Sequence, residues 1–145
     1  MLSVQTYYAI LLVVCAYAFL AGRSDERIVA GICAIASVAS AIVVAPLGSR
    51  YSNVEAGIFL VDVAAFAGFT FVALRTERFW PLWIAGLQLT TIIAHALKSV
   101  QLDLMPEAYA AAARFWVYPI FLIIVSGTWR SQRRRSEQRR QAAHA

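Results

Sequence analysis

Five residues stand out because lipid makes them costly or because their spacing gathers them: Asp62, Gln88, Thr91, His95 and Arg114. Asp62 and Arg114 each interrupt an otherwise uncharged apolar run, and an ionisable group inside a membrane is a functional candidate by default. Gln88, Thr91, His95 and Lys98 recur at intervals of three, four and three residues, which puts them on one face of a helix. Measured along helices at about 1.5 Å per residue, Asp62 lies about 9 Å inside its run and Arg114 about 22 Å from the far end of its own. The two then sit at similar depth and are expected to pair, with the Gln88 to His95 stripe completing one polar cluster.

Such a cluster supports two kinds of chemistry. As interhelical glue, Asp62 and Arg114 neutralise each other while Gln88 and Thr91 bond between helices. As a wet site open to one side of the membrane, Asp62 or His95 would carry a proton and Arg114 would set the local charge for a small ion. A contact surface for a partner subunit is the third use.

The elements that must position these residues follow from composition. The chain has 145 residues, of which 61% are apolar and 14% charged, with a mean hydropathy of +0.65. A soluble domain of this size needs more polar surface than that. The charges also fall in short groups between long neutral runs, which is how membrane chains are organised.

A helix needs about 20 mostly apolar residues to cross the hydrocarbon core. Met1 to Gly22, Ile28 to Ser49 and Phe79 to Leu97 are free of charge, and Ala56 to Leu74 and Ala108 to Trp129 carry one charge each. The expectation is an all-α, polytopic bundle of five transmembrane helices over residues 1–129. Residues 130–145 form a basic cytoplasmic tail, expected to be partly disordered, above all beyond Arg140. The runs lack the alternation of barrel strands, and the connections between them are too short for a folded extramembrane domain.

Orientation follows from the basic residues. With five spans and the tail inside, Arg23, Arg27, Arg75, Arg78 and the tail's Arg130, Arg133, Arg134, Arg135, Arg139 and Arg140 face the cytoplasm, against Arg50 and Lys98 outside. The N-terminus is then outside. Ala16-Tyr17-Ala18 resembles a signal-peptide cleavage pattern, but Met1 to Gln5 carries no basic residue, and cleavage would leave the arginine tail on the wrong side. Pro81 and Pro106 fall near helix starts, where a missing N–H costs little, and Pro119 is expected to kink the fifth span.

Other chemistries find little support. Cys15 and Cys33 sit in apolar runs without zinc or disulfide spacing. His95 and His144 offer no haem pair within the membrane, and no HExxH, GxSxG or phosphate-binding loop is present. No cofactor, metal or enzymatic activity is expected. The arginine tail suits anionic lipid headgroups, each basic residue near the surface contributing about 1 kcal/mol; nucleic acid is the weaker fit because no aromatic residues interleave.

The stretch Arg75-Thr-Glu-Arg-Phe-Trp-Pro-Leu-Trp-Ile-Ala-Gly-Leu-Gln-Leu, followed by His95, resembles small uncharacterised multi-span inner-membrane proteins of alphaproteobacteria. The resemblance covers mainly the third to fifth spans and implies no activity. The resulting expectation is an accessory or structural subunit of the bacterial inner membrane, in a homo-oligomer or larger complex. The alternative is a small proton- or ion-linked transporter.

Overall fold

The computed structural model describes residues 4–44, 51–100, 115 and 117–144. They form five helices: α1 (Val4–Ala21), α2 (Ser24–Val44), α3 (Tyr51–Arg75), α4 (Trp80–Val100) and α5 (Val117–His144), with no strand among the described residues. Among the described residues, three segments are long and apolar enough to cross a membrane: Ser24–Val43, Ala56–Arg75 and Trp80–Leu97. Gln5–Ala21 is a shorter apolar helix.

The helices pack as sequence neighbours, α1 on α2, α2 on α3, α3 on α4 and α4 on α5, and α5 closes the bundle against α1 while also touching α2. Their buried residues follow helical spacing: Leu11, Val14 and Ala18 on α1, Ala65, Phe69 and Val72 on α3, Ile120, Phe121 and Ile124 on α5. The reverse faces are as apolar as the core. Leu20, Leu74, Trp83 and Leu122 all stand exposed, an outer shell that water would penalise and hydrocarbon accepts.

Local chemistry fixes the helix ends. The α1–α2 connection is only Gly22 and Arg23, and the Gly22 N–H donates to the Ala18 carbonyl at 2.8 Å. A Cβ on Gly22 would lie 2.3 Å from that same oxygen and 2.9 Å from the Glu26 Cβ, so the turn admits glycine alone without a backbone shift. Arg23 caps α2: its carbonyl accepts from the Arg27 N–H at 3.0 Å, and its own N–H donates to Glu26 Oε2 at 2.7 Å. That second bond is half of a capping box, and Asp25 and Glu26 both suit the positive end of the helix dipole. For this reason α2 begins four residues before the uncharged run from Ile28.

Pro81 sits in the first turn of α4, where its missing N–H removes no helical bond. Residues 101–114, including Pro106 and Arg114, lie outside the described residues, and α5 is described from Val117, two residues before Pro119. From there α5 runs past Trp129 to His144 as one helix of 28 residues. Ser131 is buried, and Gln132 is half-buried against α1, so packing carries the helix beyond the apolar run.

Candidate functional site

Asp62 projects from α3 toward α4, and both of its carboxylate oxygens are engaged. Gln88 Nε2 donates to Oδ1 at 2.9 Å and lies 3.4 Å from the Asp62 carbonyl. His95 Nε2 meets Oδ2 at 3.0 Å, a contact that requires the proton on Nε2. Gln88 and His95 are seven residues apart, two turns along one face of α4, and their side chains converge on one carboxylate from either side. The pair is not sealed off: the Asp62 and His95 side chains retain 18% and 15% of their exposure.

Thr91 lies on the same face of α4 and is buried, but its hydroxyl donates to the Leu87 carbonyl of its own helix at 3.4 Å. It fills the space between Gln88 and His95 without entering their network. Lys98 belongs to α4 with its side chain outside the described set, and Arg114, the expected partner of Asp62, is also outside it. The structure therefore brings together Asp62, Gln88 and His95 of the residues singled out from the sequence.

A second polar cluster, not foreseen, lies at the opposite end of the bundle. Glu26 is fully buried, and Arg78 Nη1 donates to its Oε1 at 2.8 Å. Its other oxygen holds the Arg23 N–H. Beside it, the Thr76 hydroxyl donates to Asp25 Oδ2 at 3.1 Å, so the α1–α2 and α3–α4 connections are tied twice. The Tyr17 hydroxyl donates to Gln132 Oε1 at 3.1 Å and adds α5 to the same end. The available signal was the pair of connections Arg23-Ser-Asp-Glu-Arg27 and Arg75-Thr-Glu-Arg78, each holding acids beside arginines. Reading them only as markers of orientation hid their capacity to pair.

Between the two clusters the polar side chains mostly turn back on their own helices. Thr128 donates to the Ile124 carbonyl at 2.8 Å and Ser126 to Ile123 at 3.0 Å. Thr70 Oγ1, Trp80 Nε1 and Ser131 Oγ are buried without a hydrogen-bond partner among the described residues. On the far side of the bundle Ser37 donates to the Cys33 carbonyl at 2.8 Å, so the Tyr7 hydroxyl, 2.8 Å from Ser37 Oγ, is the donor that ties α1 to α2.

Small residues are used within the chain. Ala30 is fully buried, and a Cβ on Gly68 would lie 3.0 Å from the Ile32 side chain of α2. Ala64, four residues before Gly68 on α3, is exposed. Among the described residues no three His, Cys, Asp or Glu side chains gather as metal ligands. The six tail arginines are all exposed along α5. Arg133 lies 4.3 Å above the Trp129 ring and Arg75 lies 4.5 Å above Phe71. No family model, curated protein or solved structure matches the chain.

Proposed function

We propose that this protein is a multi-pass component of a bacterial inner membrane, with five spans, its N-terminus outside and its arginine-rich end in the cytoplasm. It acts as a non-enzymatic accessory or structural subunit of a homo-oligomer or larger membrane assembly. The observation that carries the reading is the state of Asp62. Both carboxylate oxygens are held by α4 side chains, which is what a fastener between two spans requires and what an ion site must undo before it can bind.

Two features add support. Beyond the cluster, toward the Glu26 end, Thr128 and Ser126 are satisfied by their own backbone, and the end itself is closed by Glu26 with Arg78 and Asp25 with Thr76. The basic residues Arg23, Arg27, Arg75, Arg78 and the tail arginines collect at that end, which orients it toward the cytoplasm. A small proton- or ion-linked transporter is the second reading. It is favoured by the residual exposure of Asp62 and His95.

Two measurements test the proposal. A reporter active only in the periplasm, fused after Ala145, should be silent, and strong activity would overturn the orientation. Native mass measurement of the detergent-extracted protein should show a stable oligomer or co-purifying subunits. A bare monomer would remove the accessory-subunit reading.

A further inference from the structure

Two matched pairs of side chains mark one end of the bundle. Arg75 is four residues after Phe71 on α3, and Arg133 is four residues after Trp129 on α5. Both helices leave the apolar layer in the same direction, because Tyr17 joins α5 to the end where the α1–α2 and α3–α4 connections meet. A helical side chain leans toward the N-terminus of its helix, so each arginine leans back toward the apolar layer and rests on a ring one turn below.

The rings themselves face outward, Phe71 at 56% exposure and Trp129 at 49%. Between α3 and α5, the α3–α4 connection presents Phe79 and α4 presents Trp83, both more exposed still. Aromatic side chains at this level belong at the boundary between hydrocarbon and headgroups. The headgroup layer adds about 5–7 Å on each side of the core, and Arg133 stands about 6 Å beyond Trp129 along the helix. Its side chain leans back from there onto the Trp129 ring, 4.3 Å from the centroid, which puts the guanidinium where the ring meets the headgroup layer. Arg78 is committed to Glu26, and Glu77 is the opposing charge in the connection.

We propose that Arg75 over Phe71 and Arg133 over Trp129 are two headgroup sites for an acidic phospholipid, the guanidinium on the phosphate and the ring against the glycerol and upper acyl chain. This rests on the membrane-spanning reading above. It separates the tail arginines by reach: Arg139 and Arg140 stand about 15–16 Å beyond Trp129, past the headgroups by about one Debye length at physiological salt, and take no part.

The test uses the full chain in nanodiscs containing equal amounts of phosphatidylcholine and phosphatidylglycerol, with retained lipids counted by native mass measurement after ejection. The wild-type protein should retain phosphatidylglycerol in clear excess. Arg75→Gln with Arg133→Gln should lower that excess by at least fivefold, the value of about 1 kcal/mol for one basic residue at the surface. Arg139→Gln with Arg140→Gln should change it by less than twofold. No fall in the first variant, or an equal fall in both, overturns the two sites. Failure to enter nanodiscs of phosphatidylcholine alone would instead overturn the membrane reading on which they rest.

Discussion

The two polar clusters solve the same problem with different chemistry. At the Asp62 end a partly exposed carboxylate is held by an amide and an imidazole from one neighbouring helix. At the Glu26 end a fully buried carboxylate is held by a guanidinium from the α3–α4 connection and a backbone N–H at its own helix start. The first fastens α3 to α4. The second joins two connections, caps α2 and shares its end of the bundle with the Tyr17–Gln132 bond, so more of the structure depends on it. A buried carboxylate stripped of its cation has no water to fall back on, whereas Asp62 and His95 keep some access to their surroundings.

That difference sets an order of effects. Arg78→Ala should be the most damaging, lowering stability by about 3 kcal/mol or more because it leaves Glu26 charged and buried. Thermal or denaturant unfolding in detergent measures it, and adding Glu26→Gln to the same chain should recover a large part. No recovery would mean that Arg78 acts by packing alone. Next, Gly22→Ala should cost about 1–3 kcal/mol, because the new methyl meets the Ala18 carbonyl and the Glu26 side chain together. A neutral result would show that the connection can shift without opening the Glu26 end.

Asp62→Ala should cost about 1–2 kcal/mol, since it leaves the buried Gln88 amide without its carboxylate partner. A loss as large as that of Arg78→Ala would erase the contrast between the two ends. Tyr17→Phe should be the mildest, at about 0.6 kcal/mol, the usual worth of one interhelical hydrogen bond in a membrane. A larger loss would assign the α1–α5 contact a greater part in closing that end.

How much of this was legible beforehand follows from which interactions are periodic. The helical segments could be found because each is a long apolar run, and the convergence of Gln88 and His95 follows from their i, i+7 spacing. Asp62 stood out as a charge inside an apolar run, and its expected partner, Arg114, lies outside the described residues. Both carboxylate oxygens are engaged by Gln88 and His95, two residues placed in the cluster without being assigned to that carboxylate. The start of α2 at Ser24 was hidden because acidic residues in a first turn look like a loop in a hydropathy profile. The Glu26–Arg78 pair joins residues 52 apart in sequence through two turns, and no periodicity reports on that. The helical extension of α5 past Trp129 depends on Ser131 and Gln132 packing at the bundle, a tertiary effect that the polar composition of the tail conceals.

The central claim is that the Asp62 cluster fastens helices and does not pass ions. Proteoliposomes containing only this protein, assayed for proton and cation flux under an imposed gradient, test it most directly. The account predicts flux no greater than that of empty vesicles. Flux above that background that disappears in a folded Asp62→Asn variant would contradict the account and make the cluster a transport site.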